Sequence, residues 1–491
     1  MRELRNLWFS SAMWLSVWIM GTGCMVGDPY QKPVIDLPQV WHDAEMVQDG
    51  DSTPTITTML PEAEWWEAFH NEELSWLIRV ALRRNHDLRE AALRVMEGRT
   101  LVMAAGTGLY PQVNVNGAYT RVRRSETILV NPTNGNPESF APPGADFDIW
   151  NAVVDLRWEL DLWGRIRRGM EAASAEWDGL EQDRRALMLA LISDVGHAYF
   201  ELRAYDEHLD IARNDLAIQR NLLSLVQNQV SAGLASDLEV SRRSMLVAKS
   251  AAEIPNLQRL RANTYHRLEV LTGLAPQTLA LAVRPLRDTV IQPEIPIGLP
   301  SALLERRPDI LSVEQRLIVA NARIGQARAF FFPSFSITGS GGFQSSEFSQ
   351  WLDFGSRTLN IGPSVTLPIF LGKTNVSRLE LAETRYEQML ERYHQTILEA
   401  FQEVADLLVA IQTRSQQLSN HQNLVKAARK ARTFVTIRFK EGLIPFLDVL
   451  EAERDVLAAE RQIVQIERAR LSDMVALFKA VGGGWMIQAD S

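Results

Sequence analysis

The sequence predicts an α+β fold made of two tandem structural repeats, each with a pair of β-strands followed by very long helices. Three observations support this prediction. Two parts of the chain match each other in two long ungapped stretches, each part contains strand-like alternation, and each ends in a long helical run. Because an average globular helix has only about 11 residues, such runs indicate a coiled-coil or tubular assembly.

The internal repeat is visible in two ungapped registers. In the first, Pro111 falls on Pro333, an offset of 333 − 111 = 222 residues. In the second, Gly233 falls on Gly442, an offset of 442 − 233 = 209 residues. The first repeat is therefore longer by 222 − 209 = 13 residues, and the excess lies in a Pro-, Gly- and Asn-rich stretch at 130–146 that has loop composition.

Two strands are expected in each repeat, at about 110–122 and 148–163 in the first and at about 333–344 and 357–370 in the second. The segments IWNAVVDLRWELDLW and LNIGPSVTLPI alternate apolar and polar residues, with Val153 as an exception. Period-two alternation predicts a sheet with one apolar and one polar face. Strands of about 10 residues can cross a membrane at a tilt, although soluble sandwich strands alternate as well.

Helices fill the rest of each repeat. A first helix is expected at 72–105 and again at 300–329, and the stretch 373–441 has no Gly or Pro over about 69 residues, or about 100 Å of helix. Gly233 and Gly442 then reverse the chain in two tips, at 231–240 and 440–449. Ser236 is expected to cap the helix after the first tip, with Glu239 three residues later.

Four strands per chain are too few for a closed barrel, because small membrane barrels need about eight or more. An open sheet in lipid would leave unpaired backbone groups at both edges, each costing several kcal/mol. Other copies of the chain must therefore complete the sheet. Three copies would give twelve strands, but the pattern alone does not choose three over two or four.

The pattern of residues at the N-terminus predicts an export signal. A short basic start is followed by an apolar run of about 14 residues from Leu7 to Met20, which is too short for a typical spanning helix. Cys24, the only cysteine of the chain, follows three small residues, an order that resembles a bacterial lipoprotein signal. We expect Cys24 to be acylated. The alternative is a plain signal peptide, since Gly21 stands where the lipoprotein pattern prefers a branched aliphatic residue.

Several function classes are disfavoured. The formal net charge of −9 argues against a nucleic-acid partner. The LGKT sequence at Leu371–Thr374 is no phosphate-binding loop, because Leu367 stands where the first glycine would be. The eight histidines form no HExxH motif or ligand cluster. No catalytic residue, cofactor or metal is therefore expected, which favours a passive channel driven by a partner.

A set of motifs identifies the family that the chain resembles. In order, they are CMVGDPYQKP, EWWEAFHNEEL, LYPQV, WELDLWGRIRR, LPSALLERRPDI, ARAFFFPSFSITGSGG, GPSVTLPIF and VGGGW. They resemble the TolC-like outer membrane efflux proteins, and most closely the NodT-type lipoprotein channels of resistance–nodulation–division pumps. PIFLGKT departs from the family pattern, since the usual acidic residue and second glycine are missing after the Phe.

The resemblance implies a homotrimer with a twelve-stranded outer-membrane barrel continued by an α-helical barrel in the periplasm. It also implies a periplasmic adaptor protein, an inner-membrane efflux pump and outer membrane lipid as partners. The segments are then a signal peptide (1–23), a lipid-anchored segment (24–75), a first efflux repeat (76–274), a linker (275–299), a second efflux repeat (300–483) and a tail (484–491). A TolC-type duct for protein secretion and a lipid-anchored periplasmic coiled-coil scaffold are the alternatives. The exported compound is not encoded in these patterns.

A periplasmic gate is expected just past the second tip. Leu447 and Glu451 are four residues apart and share a helix face, so three copies would form an apolar ring and an acidic ring. The resemblance agrees, because channels of this branch carry a leucine and an acidic residue there. The first-repeat counterpart of Glu451 is Arg242, and we expect these two side chains to pair between neighbouring helix pairs. The alternative is a Leu447 packed in the coiled coil and a Glu451 exposed to solvent.

The helical tips are the expected adaptor contacts. They offer, at equivalent places in the two repeats, Gly233, Leu234, Ser236, Gly442 and Leu443. The alternative is that these residues only cap helices. Both roles are compatible at one position.

Overall fold

The computed structural model describes residues 25–35, 56–57, 64–123, 125–127, 144–289, 293, 295–296 and 303–483. The expected signal peptide, its Cys24 and the expected tail from residue 484 lie outside the described residues. The same holds for most of the extra loop expected at 130–146.

The described elements follow the same order twice. The helices are α1 (Glu72–Arg84), α2 (His86–Gly106), α3 (Arg165–Ser231), α4 (Asp237–Leu271), α5 (Leu303–Arg306), α6 (Pro308–Ala329), α7 (Thr374–Lys440) and α8 (Phe446–Ala480). The strands are β1 (Ile56–Thr57), β2 (Gln112–Arg123), β3 (Asp146–Leu160), β4 (Ile295–Pro296), β5 (Ser334–Ser345) and β6 (Arg357–Thr366). Both α3 and α7 have 67 residues, and both α4 and α8 have 35, so the two repeats share one backbone plan. Among the helices described, none is both long and apolar enough to cross a membrane.

The helix expected at 72–105 is in fact two helices. Asn85 has an extended backbone (ψ 132°) and ends α1, while its Oδ1 accepts a hydrogen bond from Leu88 N (3.0 Å) and so caps α2. Its Nδ2 donates to Leu271 O at 3.1 Å, which ties the break to α4. The helix expected at 300–329 is likewise interrupted at Arg307, directly before Pro308, where the helical conformation is disfavoured.

Two strands end earlier than the alternation predicts. β3 ends at Leu160 because the Asp161 carboxylate accepts hydrogen bonds from the backbone N of Ile166 (3.0 Å) and Arg167 (2.9 Å), which starts α3. β6 ends at Thr366, short of Pro368, which has no N–H for a sheet ladder. In both cases the apolar pattern continues into a segment that is no longer a strand.

The described chain divides into two compact units. One, the sheet unit, lies within residues 1–32, 96–178 and 315–391. The other, the helical unit, lies within residues 33–95, 179–314 and 392–491. Each unit takes segments from both repeats, so neither repeat folds as a domain of its own.

The sheet unit contains an antiparallel four-stranded sheet in the order β2-β3-β5-β6. The register places Val115 opposite Val154, Val154 opposite Gly341 and Gly341 opposite Leu359. Side chains of these positions therefore share one face, and alternate residues share the other. β2 and β6 are the edges, each paired on one side within the described sheet.

The core of the helical unit is aromatic and surrounds the last turns of α8. The Trp65 ring stacks on Phe478 with centroids 4.8 Å apart, and Phe69 and Phe200 lie 5.5 Å apart. All four are buried, and rings of this size contribute large apolar areas to a core. The start and the end of the described helical unit are thereby held against α3, which lies between them in sequence.

Candidate functional site

The two faces of the sheet differ sharply in chemistry. One face is apolar and carries Val113, Val115, Tyr119, Trp150, Val154, Leu156, Trp158, Phe335, Ile337, Leu359, Ile361 and Val365. The other is polar and carries Gln112, Asn114, Asn116, Asn151, Asp155, Arg157, Thr338, Ser340, Asn360 and Ser364. Several large side chains of the apolar face are exposed in the single chain, Val115 and Leu359 by almost four fifths. An exposed apolar face of this extent indicates a partner or a membrane.

Aromatic side chains bound the apolar face at both ends. At the end of the two hairpins, the Trp150 ring lies 4.3 Å from Tyr119 and 4.8 Å from Phe348. At the other end, Trp158 Nε1 donates to Leu109 O at 2.9 Å. Trp150 and Trp158 are eight residues apart on β3, about 27 Å along the strand at about 3.4 Å per residue. Membrane barrels show an apolar band about 25 Å tall between two aromatic girdles, and at a strand tilt of about 40° the distance between the two tryptophans spans about 21 Å of height, which is close to that band.

Both long helices end in the same turn. Gly233 (φ 74°) and Gly442 (φ 75°) occupy the left-handed region that glycine adopts without strain. The hydrogen bonds match as well: Gly233 N to Val230 O (2.9 Å), Leu234 N to Gln229 O (2.8 Å), Gly442 N to Phe439 O (2.9 Å) and Leu443 N to Arg438 O (2.9 Å). This is the Schellman arrangement, which satisfies the last carbonyls of a helix.

The leucine after each tip glycine is exposed. Leu234 is 79% exposed and Leu443 is 63% exposed. In a Schellman turn this residue usually makes an apolar contact with the helix it follows. Within the single chain, these two leucines therefore remain available for contacts with another molecule.

Ser236 lies at the N-cap position of α4, with an extended backbone (φ −101°, ψ 156°), but its side chain makes no capping hydrogen bond within the described chain. The expected cap through this hydroxyl is therefore wrong. The Ser236 carbonyl accepts from Glu239 N at 3.0 Å instead. At the second tip Pro445 takes the N-cap position, and it also makes no side-chain cap.

The expected gate residues lie on one exposed stretch of α8. Leu447 is 55% exposed, and Glu451 is exposed as well. Glu451 lines a groove of about 830 Å³ between α7 and α8, together with Asp448 and Asp455. Most of the other residues that line the groove are alanines, so the three carboxylates lie beside small side chains.

Arg242 is exposed, while the residue after it is buried in an ion pair. Arg243 Nη1 lies 3.2 Å from Glu453 Oε2 and donates to Gln219 Oε1 at 3.1 Å. Burial lowers the pKa of the Arg243 guanidinium, and the Glu453 carboxylate acts in the opposite direction. This pair joins α4 to α8 within one chain, whereas Arg242 and Glu451 are both exposed.

Sequence reasoning missed the Arg243–Glu453 pair. The two adjacent arginines are equivalent as sequence, and only the packing of α3, α4 and α8 decides which is buried. A usable signal was the repeat offset, because the counterpart of Arg243 is Ala452 and that of Glu453 is Ser244. Two charges that each lack a counterpart in the other repeat are candidates for a contact between the repeats.

Known proteins resemble this chain in sequence and in fold. The model of a family described as "Outer membrane efflux protein" matches residues 77–274 and 299–483. A probable efflux pump outer membrane protein, SepC of Pseudomonas putida, is 33% identical over 469 residues, covering 94% of this chain and 95% of its own length. The outer membrane protein OprJ of Pseudomonas aeruginosa is 30% identical over 462 residues, covering 94% and 93%.

Solved structures agree in fold. The structure of the outer-membrane channel OprN superposes with a TM-score of 0.83 at 30% identity, covering 94% of this chain and 100% of that one. A structure of CusC gives a TM-score of 0.80 at 28% identity, with the same coverage. The family match and these two agreements lead to one conclusion. The chain belongs to the outer membrane efflux protein family.

Proposed function

We propose that this protein is the outer-membrane channel of a tripartite efflux pump, passively conducting small molecules from a periplasmic adaptor and an inner-membrane pump to the exterior. The observation that carries the proposal is the register of the four-stranded sheet. It gives one exposed apolar face for lipid and one polar face for an aqueous lumen. Family membership and the names of the relatives, which are outer membrane components of efflux pumps, support the same function.

The channel is a trimer in this proposal. A sheet with two open edges in lipid would leave backbone groups unpaired, and three copies close twelve strands into a barrel. β6 of one copy would then pair with β2 of the next. The two strands run in opposite directions, so this pairing continues the antiparallel order of the sheet.

The gate is formed by Leu447 and Glu451 of three copies, with Arg242 of a neighbouring helix pair opposing Glu451. The exposure of all three side chains in the single chain supports this arrangement. The exposed tip leucines, with Gly233, Ser236 and Gly442, form the adaptor contact. Leu443→Cys should cross-link to a cysteine-bearing adaptor, whereas Leu398→Cys, equally exposed on α7 but away from the tips, should not.

Lipid attachment at Cys24 is part of the proposal. Cys24 lies outside the described residues, but the residues after it are held on the sheet unit. Val26 N donates to Trp163 O at 3.0 Å, and the buried Arg168 donates through Nε to Val26 O at 3.2 Å. Since the chain itself is attached there, Cys24→Ala with an efficient cleavage site should still give trimers that export. Normal trimer levels without export would mean that the anchor does more than hold the protein.

The substrates are expected to be small molecules. Relatives are named for toluene, cation and pyoverdine export, which suits a conduit whose selectivity lies upstream. A protein-secretion duct is the second channel candidate. The coiled-coil scaffold is disfavoured, because it gives no use for an exposed apolar sheet face between aromatic ends.

The test is electrical and biochemical. Purified protein should migrate as a heat-sensitive trimer in detergent and form stable pores in planar bilayers. A strain lacking the protein should accumulate a small-molecule substrate of its pump and recover with the intact chain. A monomer without pore activity would contradict the channel proposal, and restored protein secretion without restored small-molecule export would favour the duct.

A further inference from the structure

The apolar face of the sheet ends in arginines at its hairpin end. The alternation places Arg121 and Arg123 of β2 on the same face as Tyr119, and Arg357 of β6 on the same face as Leu359. All three arginines are exposed. These positive charges stand at the border of an apolar surface, and on β3 the register places Asp148 and Asp146 opposite Arg121 and Arg123 on the same face.

The opposite end of this face is different. There the described strands end in uncharged residues, with Val113 on β2, Leu160 on β3, Phe335 on β5 and Val365 on β6. Cations on the apolar face are therefore confined to one end. In a membrane this asymmetry assigns them to one leaflet only, and this is the outer leaflet when the helices that follow β3 and β6 extend into the periplasm, as the proposed function requires.

Aromatic rings lie close to these arginines, with Tyr119 and Trp150 on the strands and Phe354 in the loop that precedes β6. Tyr119 and Trp150 pack at 4.3 Å, and the Arg357 guanidinium lies 3.0 Å from the centroid of Phe354. Aromatic residues of membrane proteins collect at the level of the lipid headgroups. The arginines consequently sit at headgroup height, beside the acyl region rather than in bulk water.

Among the described residues, Arg121 and Arg123 have only weak partners, whereas Arg357 donates through Nε to Phe354 O at 2.8 Å and keeps its other N–H groups exposed. Arg121 lies 3.9 Å from Asp146 and 4.0 Å from Asp148, at the limit of an ion pair. Asp148 also accepts a hydrogen bond from Tyr119 Oη at 3.0 Å. Arg123 lies 3.8 Å from Glu126. Each guanidinium carries five N–H donors, so long exposed pairs of this kind leave donors for an external anion.

The trimer brings the two groups of arginines together. This step rests on the proposed function, because it needs β6 of one copy to pair with β2 of the next. β6 begins at the hairpin end and β2 ends there. Arg357 of one copy would therefore join Arg121 and Arg123 of the next copy, and each of three seams would hold three guanidiniums.

We propose that each seam binds a phosphorylated glycolipid of the outer leaflet. The arginines would bind its phosphates in the bidentate geometry that guanidinium prefers. The acyl chains would lie on Val115, Leu359 and Ile361 just below. A soluble phosphate compound would lack this second contact, so the seam selects a lipid by charge and apolar surface together.

The experiment measures lipid A bound to delipidated trimers by native mass spectrometry, after trimer assembly and pore formation have been verified. Wild-type trimers should bind up to three lipid A molecules, and dephosphorylated lipid A should bind about tenfold more weakly or worse. The triple variant Arg121→Gln, Arg123→Gln, Arg357→Gln should lose binding to a similar extent. A matched triple variant of exposed helix arginines, Arg94→Gln, Arg385→Gln, Arg392→Gln, should bind as wild type does.

The outcomes separate the two proposals. Conducting trimers that bind both lipid forms equally, or that bind lipid A equally with and without the three arginines, would overturn the inference and leave the channel intact. Inorganic pyrophosphate that competes as well as lipid A would overturn it too, since the site would then be for a soluble anion. If the glutamine variant does not assemble, Arg121→Lys, Arg123→Lys, Arg357→Lys serves instead, and it should retain phosphate-dependent binding at reduced affinity.

Discussion

The two helical tips have the same backbone, but the helices that follow them carry opposite charges at one pair of equivalent positions. Gly233 and Gly442 differ by one degree in φ, and each connects a 67-residue helix to a 35-residue helix. Nine residues after each tip glycine, however, one repeat has Arg242 and the other has Glu451. The two repeats therefore share the turn, while the side chains that follow it differ in charge.

The charged residues near the tips fall into two kinds, one buried and suited to stability, the other exposed and suited to regulation. Charges at 243 and 453 are buried in one chain, and charges at 242 and 451 face outward. A buried pair is costly to break, whereas an exposed pair contributes about 0–1 kcal/mol and can be exchanged during opening. The first pair is suited to hold the hairpins together, and the proposed pair of Arg242 and Glu451 is suited to bias a gate.

The largest effect is expected from the buried pair. Arg243→Ala should lower the free energy of unfolding of the helical unit by about 3–5 kcal/mol, because it leaves the Glu453 carboxylate buried without its partner. Urea denaturation in detergent measures this change in the free energy of unfolding. The control is Arg242→Ala, an exposed neighbour that should change stability by less than about 0.5 kcal/mol. The double variant Arg243→Met, Glu453→Leu should recover most of the loss. Equal effects of the two single alanine variants would show that the pair does not hold the hairpins.

Substitution of the tip glycines should give the next largest loss of stability, and the loss should be the same at both tips. A Cβ added at Gly233 or Gly442 meets nothing within 4 Å, so only the left-handed backbone opposes substitution. Gly233→Val and Gly442→Val should each cost about 1–2 kcal/mol by urea denaturation. Gly→Asn at the same positions should cost less, since Asn tolerates this region. A clearly larger loss of stability at one tip than at the other would mean that this tip is held by a contact in the assembly.

Substitution of the exposed charges at 242 and 451 should change channel opening rather than the stability of the fold. If three Arg242–Glu451 pairs contribute about 0.5 kcal/mol each, Glu451→Ala should raise open probability in planar bilayers by about tenfold. Arg242→Ala should act in the same direction. The exchange Arg242→Glu, Glu451→Arg should restore closure, because it re-forms the pair with its charges reversed. Unchanged conductance in all three variants would count against a gating role for either residue.

Much of this architecture could be read from the sequence, and the failures have physical causes. The repeat offsets, the tip glycines and the strand alternation come from local rules, so they located the sheet and both turns. Asn85 breaks a helix without glycine or proline because its side chain caps α2 at Leu88 N and also donates to the distant Leu271 O, and the second contact is one that no local pattern reveals. The burial of Arg243 rather than Arg242 depends on how three helices pack. Contacts between copies are not described by a single chain, and so the gate remains a prediction.

The smallest effect is expected at the first-tip cap, where sequence reasoning was wrong. A serine at an N-cap usually contributes about 0.5–2 kcal/mol through its hydroxyl, but Ser236 makes no such bond within the described chain. Ser236→Ala should therefore leave the urea midpoint nearly unchanged. Asn71→Ala should be destabilising by about 1 kcal/mol, since Asn71 Oδ1 accepts from Leu74 N at 2.9 Å and caps α1. If Ser236→Ala weakens adaptor binding in a pull-down while stability is unaffected, the hydroxyl serves the partner and not the helix. A loss of stability equal to that of Asn71→Ala would mean that the hydroxyl caps α4 in the assembled trimer, and the two tips would then differ in how their second helices begin.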